Sequence, residues 1–391
     1  MMRILGMMSG TSADGIDAVV VDFCLADDHL AAEVVAGATK EFSPELREVV
    51  LAAQCPDVAT SNAIADVHAA IGDVHAKVAK KFLGLGVDAI CLHGQTINHR
   101  VVEGRVTASL QIGDPARVAA ATNLPVIHAV RANDIALGGQ GAPFAPLLDV
   151  MIAGERAPVA CLNIGGIANV TVIDDRGVTA FDTGPGNCLI DAHLADISGG
   201  ELSYDVDGAL AARGSVDEAL LAALLADPYF AQAPPKSTGR EYFTLEWVRA
   251  RSENKGFEPF GRLPAEDLAA TLTALTARSI AEALGDVRTV YVAGGGARNR
   301  TLLRMLAERG LDVRPMSDLG LDSDLKEALL MALIGFATLH ALPTTTAVAG
   351  SIALPPHATH AALRDLLTDV PARVRDAWPI PLRLVTRKDQ P

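Results

Sequence analysis

Cysteine is scarce in this chain of 391 residues. Its five copies are far apart, odd in number and never arranged as a C-x-x-C pair: Cys24, Cys55, Cys91, Cys161 and Cys188. This spacing argues against a disulfide framework and against a zinc site. Reduced thiols are the simplest interpretation.

Basic residues are also in deficit, because 33 Lys and Arg stand against 47 Asp and Glu, for a formal net charge of -14 with His neutral. Proteins that bind the phosphate backbone of a nucleic acid usually carry the opposite sign of charge. The composition therefore argues against a nucleic-acid-binding function.

Long apolar runs are missing too. The longest uncharged apolar stretch, residues 328–342, falls short of the roughly 18 to 20 residues that cross a bilayer, so it predicts a buried helix. The polar run SGTSADG follows the N-terminus so closely that no apolar centre of a signal peptide fits before it. The nucleotide loop G-x-x-x-x-G-K-S/T is absent as well. We expect a cytoplasmic chain without a membrane span.

The hydrophobic half of the composition is enough for a sizeable core, and at roughly 150 residues per domain the length suggests two or three domains. Apolar runs at 3–7, 16–23 and 31–35 predict three strands, followed by alternating helices and strands. The same order begins again in PVACLNIGGIANVTVIDDRGVTAFDTG. We therefore predict an α/β fold of two related domains facing a cleft, 1–150 and 151–391, unless the C-terminal segment joins the first.

Two predicted strand-to-strand turns consist largely of small residues and lie about 155 residues apart. We call residues 10–17 the first hairpin and residues 163–169 the second hairpin. The first contains Gly10, Thr11, Ser12, Ala13, Asp14, Gly15, Ile16 and Asp17, and the second contains Asn163, Gly165, Gly166 and Asn169. Without bulky side chains, their amides are able to approach an anion. One such turn is usually only a turn, whereas a matched pair favours a phosphate site.

A third glycine cluster, Gly294, Gly295 and Gly296, ends an apolar strand and precedes a helix that starts near Asn299. A strand, a glycine turn and a helix N-terminus together are typical of a nucleotide site, because the first amides of a helix are unpaired. The alternative is an ordinary tight turn.

An acidic residue stands where another predicted strand stops, in FDTGPGN. Asp182 is there a candidate general base that would deprotonate a water or a hydroxyl. The alternative is that its carboxylate only accepts hydrogen bonds from turn amides. The local sequence favours neither interpretation.

Polar side chains in HGQTINH follow a buried strand, and among them His93, Gln95 and Thr96 suit the hydroxyl groups of a sugar. A metal site there is the weaker interpretation, because no third ligand lies near the two histidines. Arg131 is a candidate for an anionic group. Glu327 opens the apolar helix, where a carboxylate is favoured in any case.

Taken together, nine segments resemble the motifs of the anhydro-N-acetylmuramic acid kinase family, over about residues 6–332. In chain order they are GTSADGID, HGQTINH, QIGDP, GGQGAP, NIGGIAN, FDTGPGN, DPYF, PPKSTGREYF and AGGGARN. The resemblance implies the superfamily of actin, hexokinase and heat-shock ATPases, with two ribonuclease-H-like domains of mixed sheet plus helices that close on a nucleotide cleft.

The implied reaction uses ATP and Mg²⁺ to open the 1,6-anhydro ring of anhydro-N-acetylmuramic acid and to phosphorylate the released oxygen, as a step of peptidoglycan recycling in the cytoplasm. By the same resemblance, the two hairpins hold phosphates, and Gly294, Gly295, Gly296 and Asn299 belong to the adenosine side. Asp182 binds the sugar and activates water, kept ionised by the neighbouring turn amides. His93, Gln95, Thr96, Arg131 and Glu327 line the sugar side. No residue is assigned as a metal ligand, and a homodimer is implied.

Two alternatives stay open. In the stretch that reads IHAVRANDIALGGQGAP here, members of the family usually have an acidic residue and an aromatic residue before the arginine. This chain has His128, Ala129 and Val130 before that arginine, which is Arg131. A related kinase acting on anhydroglucose shares much of the pattern. An ATP-driven conformational switch of the same superfamily is the other alternative, although Asp182 and the polar cluster around Gln95 argue against it.

Overall fold

The structure is a computed structural model that describes residues 1–10, 12–55, 57–102, 105–253, 263–345, 347–359, 366–367 and 370–385. It divides the chain into unit 1, Met1–Ile152 with Gly320–Pro391, and unit 2, Ala153–Leu319. The residues from Gly320 onward belong to unit 1, which is the case that the sequence-based boundaries of 1–150 and 151–391 left open for the C-terminal segment. Terminal strands that pair within the sheet of unit 1 are the physical reason.

Alternating apolar residues form strands in both units. The strands are β1 Met2–Ser9, β2 Gly15–Leu25, β3 Leu30–Glu41, β4 Ala89–Val102, β5 Arg105–Ile112, β6 Val126–His128, β7 Val159–Ile164, β8 Ile167–Asp174, β9 Gly177–Pro185, β10 Thr289–Ala293, β11 Asp312–Pro315, β12 Ser351–Ala353 and β13 Leu382–Leu384. The strands predicted from the sequence are all present, and β11, β12 and β13, of three or four residues each, are found in addition.

Helices alternate with these strands. They are α1 Pro44–Ala53, α2 Ser61–Lys80, α3 Pro115–Thr122, α4 Ala132–Ala136, α5 Ala145–Ala153, α6 Cys188–Ile197, α7 Glu218–Leu225, α8 Leu245–Glu253, α9 Ala265–Ala283, α10 Arg300–Glu308, α11 Lys326–Leu339 and α12 Ala372–Ala377. Side chains at the N-cap position stabilise the start of several helices. Ser43 Oγ accepts from the amide of Leu46, and Asp114 Oδ1 accepts from the amide of Ala116.

The two sheets share one strand order. In unit 1, β3-β2-β1 is an antiparallel meander to which β4 and β6 add in parallel, while β12 and β13 extend the edges and β5 pairs with β4. In unit 2, β9-β8-β7 is the meander to which β10 and β11 add in parallel. This repeated order is that of a ribonuclease-H-like domain, and the predicted mixed α/β architecture with two related domains is confirmed.

The predicted apolar helix is α11, which is buried along most of its length and packs on β1, β2 and β4. The approach is close because Gly6 in β1 has no side chain: a Cβ there would lie 2.9 Å from Ala332 Cβ. This packing brings Glu327, in the first turn of α11, to the sheet of unit 1. Among the described residues, no helix combines the length and the apolarity that crossing a membrane requires.

Candidate active site

The first hairpin connects β1 to β2 in unit 1. Its turn is closed at Gly10, whose carbonyl accepts from the amide of Ala13 at 3.2 Å and from Gln95 Nε2 at 3.0 Å. Ala13 is fully buried in the left-handed region, with φ 55°. Thr11, one of the predicted phosphate-binding residues, lies outside the described residues. The hairpin is therefore held at its base from the neighbouring strand β4.

That neighbouring strand supplies the predicted sugar-side residues. Gln95 is fully buried, and Ser9 Oγ donates to its Oε1 at 2.5 Å. Thr96 is nearly buried, and its Oγ1 accepts from Gln111 Nε2 at 3.3 Å. Because Gln95 bonds both Ser9 and Gly10, its position in the structure is that of a support for the first hairpin.

Arg131 and His93 form a defined pair. Arg131 Nε donates to His93 Nε2 at 2.9 Å, and His93 Nδ1–H donates to the carbonyl of Gly94 at 2.8 Å. Burial, and after it the charge of Arg131, lower the pKa of His93 to about 3. His93 is thus neutral, and its lone pair orients the guanidinium of Arg131.

Glu327 belongs to the same charged group. Loss of water around its carboxyl raises its pKa and repulsion from Asp17 adds to this, whereas Lys326 and Arg131 oppose it. Asp17 is half-buried and accepts from Thr39 Oγ1 at 2.6 Å. The structure therefore brings together residues as far apart in the sequence as Asp17 and Glu327.

The second hairpin begins a polar row across the sheet of unit 2. Asn163 on β7 pairs in register with Asn169 on β8, and Asn169 pairs with Asp182 on β9. Directly opposed residues on neighbouring strands point to the same face of a sheet. The row therefore runs from two asparagine side chains of the second hairpin to Asp182, the predicted general base.

The backbone of the second hairpin is turned so that its carbonyls point inward. The carbonyl of Gly165 accepts from the amide of Asn187, and that of Gly166 accepts from the amides of Gly186 and Cys188. Within the described part of the chain, the amides of Gly165 and Gly166 have no acceptor. Free amides at a small-residue turn are what an anion site requires.

The third glycine cluster packs against this hairpin. A Cβ on Gly294 would lie 2.6 Å from Asn163 Oδ1, and one on Gly296 would lie 2.7 Å from Ile164 Cβ. Gly294 also has φ 81°, in the region that favours glycine. The cluster and the second hairpin therefore form one surface, as a nucleotide site on this unit requires.

Asn299 has a local partner. Its Oδ1 accepts from the amide of Leu302 at 2.9 Å, which makes it the N-cap of α10, and the residue is nearly buried. Its proposed role on the adenosine side stays a prediction, and the structure adds a capping role.

Asp182 is held by residues 225–241, the irregular segment that lies between the end of α7 and α8. Its Oδ2 accepts from the amide of Thr238 and from Ser237 Oγ, each at 2.9 Å. Its backbone carbonyl accepts from Tyr229 Oη at 2.8 Å, and its amide donates to the carbonyl of Lys236. Sequence reasoning did not assign these residues, because only their position beside Asp182 reveals their role.

The pKa of Asp182 departs from the expectation that neighbouring turn amides keep it low. Burial raises it, and the hydrogen bonds from Thr238 and Ser237 only partly oppose this. The amide that binds the carboxylate comes from the distant segment, and desolvation outweighs it. A raised pKa suits a group that must accept a proton.

A buried carboxylate in turn holds that segment in place. Asp227 accepts from the amide of Tyr229 at 2.8 Å, from Tyr242 Oη at 2.9 Å, from Trp247 Nε1 at 3.0 Å and from Arg251. The aspartate that begins the DPYF motif therefore anchors the chain on either side of the residues that contact Asp182.

In the described residues there is no cluster of three or more His, Cys, Asp or Glu side chains of the kind that holds a metal ion. Carboxylates near the first hairpin are Asp14, which is exposed and pairs with Arg47 at 3.2 Å, and Asp17.

The chain is similar to several known proteins. The family model for anhydro-N-acetylmuramic acid kinase matches residues 2–354. A relative of that name from Streptomyces avermitilis is 44% identical over 357 residues, covering 89% of this chain and 91% of the relative. Another from Rhodococcus erythropolis is 40% identical over 384 residues, covering 94% of each. Among solved structures, a ROK family glucokinase from Streptomyces griseus in complex with glucose and AMPPNP aligns at 12% identity with a TM-score of 0.36, covering 85% of this chain and 98% of that chain.

Proposed function

The chain belongs to the anhydro-N-acetylmuramic acid kinase family, and we propose that it opens the 1,6-anhydro ring of anhydro-N-acetylmuramic acid and phosphorylates the released oxygen, with Asp182 as general base. It is a carbohydrate kinase that uses ATP. The observation that carries the residue assignment is the register of Asp182 opposite Asn169, at the end of the row that starts in the second hairpin.

In the proposed reaction, Asp182 takes one proton from a water whose oxygen bonds to the anomeric carbon of the sugar. The bond from that carbon to the bridging oxygen breaks, and its electron pair stays on the oxygen. This oxygen attacks the terminal phosphorus of ATP, and the bond from that phosphorus to the bridging oxygen of ADP breaks. The products are N-acetylmuramate 6-phosphate and ADP, and Asp182 later releases its proton to solvent. Positioning and charge stabilisation carry such a transfer.

The contacts of Asp182 fit this role. Oδ2 accepts from Ser237 and Thr238, and among the residues that the structure describes Oδ1 has no donor. Burial raises its pKa, which strengthens it as a base, and the two donors favour the ionised form that must be present at the start.

Mg²⁺ normally binds through one or two carboxylates, several waters and the phosphates of the nucleotide. Asp14 and Asp17 of the first hairpin fit that donor set, and a larger protein cage is not needed. When bound, the ion neutralises charge on the transferred phosphoryl group.

The pairing of Arg131 with His93 supports anhydro-N-acetylmuramic acid over anhydroglucose as the substrate. Arg131 is fixed by neutral His93, so its guanidinium presents a permanent positive charge within the sugar-side group. A carboxylate on the substrate would match that charge, and anhydroglucose has none. We also propose a cytoplasmic homodimer on the basis of the family resemblance, and light scattering of the purified chain decides the oligomeric state.

The decisive experiment compares Asp182→Asn with Asp175→Asn, an exposed aspartate in the turn between β8 and β9. An asparagine at 182 still accepts from Ser237 and Thr238 but takes up no proton. We expect turnover with ATP, Mg²⁺ and the anhydro sugar to fall by about 100- to 10,000-fold, with nucleotide affinity nearly unchanged, and Asp175→Asn to behave as the parent.

Full activity of Asp182→Asn removes the proposed base. ATP consumption that does not depend on sugar favours the conformational switch. Equal turnover of anhydroglucose removes the assignment of the muramic acid.

A further inference from the structure

The basic stretch 236–240 contains a second cation, Arg240, which the reaction described above does not use. Its guanidinium lies against the second hairpin in the space where a side chain on Gly166 would be: an ideal Cβ there would lie 2.8 Å from Arg240 Cζ and 2.9 Å from Nη2. Gly166 therefore has to be a glycine for the guanidinium to take this position.

The other cation of the stretch, Lys236, has hydrogen-bond acceptors in the structure, whereas Arg240 has none among the described residues. Lys236 Nζ donates to the carbonyls of Tyr229 and Phe230 at 3.1 and 3.3 Å and lies 4.6 Å from the centre of the Tyr229 ring. Arg240 is exposed, and it forms no hydrogen bond or ion pair with any residue that the structure describes. Its five N–H donors remain available.

One acidic side chain, Asp191, interacts electrostatically with Arg240. Burial raises the pKa of Asp191, on α6, to about 6, and the charge of Arg240 opposes this rise, yet no hydrogen bond joins the two side chains. A guanidinium thus stands next to the unpaired amides of Gly165 and Gly166. This is an arrangement that binds a phosphate from two sides.

We propose that Arg240 binds the phosphoryl group that is transferred from ATP to the sugar. The inference rests on the proposed function, since it takes the second hairpin as a phosphate site. Arg240 is two residues from Thr238, whose amide holds Asp182. The phosphate it reaches is therefore the one nearest the general base, which is the terminal phosphate and not the inner ones.

The test measures equilibrium binding of ADP and of a non-hydrolysable ATP analogue, each with Mg²⁺, to the full chain and to Arg240→Gln. We expect affinity for the analogue to fall by about tenfold to a hundredfold, because a hydrogen bond to a charged group is lost. We expect affinity for ADP to change less than twofold, and Arg240→Lys to recover part of the loss. Because the side chain is exposed, a thermal melt equal to that of the parent verifies that each variant is folded.

Asp191→Asn is the matched control. If Arg240 served only to balance Asp191, this variant would reproduce the effect of Arg240→Gln, and the proposal would be overturned. Equal affinity of Arg240→Gln and the parent for the analogue overturns it too, as does an equal loss for ADP. A parent chain that fails to phosphorylate the anhydro sugar but binds the analogue through Arg240 refutes the proposed sugar reaction and leaves the phosphate contact standing.

Discussion

The packing of β1 against α11 leads to a prediction about Gly6. Gly6 pairs with Val19 on one side and Cys91 on the other, so the strand that carries it is held between two neighbours. A Cβ at this position would lie 2.9 Å from Ala332 Cβ, and nearer still to the carbonyl oxygen of Ala328 and the amide nitrogen of Ala332. Ordinary contact begins near 3.4 Å, so α11 would have to move by at least about 0.5 Å.

Gly6→Ala is therefore expected to destabilise unit 1 by about 1 to 3 kcal/mol, the usual cost of overpacking a core. The value should lie in the upper part of that range, because two of the three opposing atoms belong to helix backbone. For a domain of roughly 150 to 250 residues this corresponds to a melting temperature lower by about 2 to 12 °C. Activity should fall as well, since α11 carries Glu327 and small displacements of a site are costly.

Calorimetry of three variants makes the test quantitative. Gly335→Ala would meet Cys91 Cβ at 2.8 Å and Ile4 Cγ2 at 3.2 Å, both side-chain atoms, and Gly84→Ala would meet nothing within 4 Å. We expect the largest loss for Gly6→Ala, a smaller one for Gly335→Ala and none for Gly84→Ala. If Gly6→Ala melts at the same temperature as Gly84→Ala, the close approach of β1 and α11 is refuted.

Two further predictions concern titratable groups. Because burial raises the pKa of Asp182 and the base must be ionised, kcat/KM should decline on acidification at a higher pH than an ordinary aspartate would give. Ser237→Ala removes a donor that favours the ionised form, so the decline should move to still higher pH, and a move to lower pH would contradict the assignment. For the thiols, a cysteine reagent should modify exposed Cys24 and Cys55 first, while buried Cys91 and Cys161 should react only on unfolding. Burial raises the pKa of Cys188 to about 11, so it should react slowly, and mass spectrometry of peptides over time checks the order.

The features that sequence reasoning predicted depend on neighbours along the chain. Alternating apolar residues determined the strands, because one face of a strand is buried. Helix caps such as Ser43 and Asp114 are equally local, because a cap bonds an amide two or three positions away. The duplication of the domain was also predicted, because each antiparallel meander is formed by three strands that follow one another in the sequence.

The features that it missed depend on contacts across the fold. Short strands such as β12 and β13 form only because a sheet edge is available to pair with, and that pairing assigns the C-terminus to unit 1. Whether the pKa of Asp182 is raised or lowered depends on how much water residues 225–241 exclude from its carboxyl group, and no local sequence pattern encodes this.

The sequence by itself determined which residues form strands, helices and glycine turns, and that an acid lies near the end of β9, because these follow from hydrogen bonds and apolar periodicity within short segments. Only the tertiary structure decided that Glu327 joins Asp17 and Arg131, and that the guanidinium of Arg240 lies where Gly166 has no side chain. Such contacts depend on three-dimensional packing, in which the absence of a Cβ matters as much as the presence of a charge.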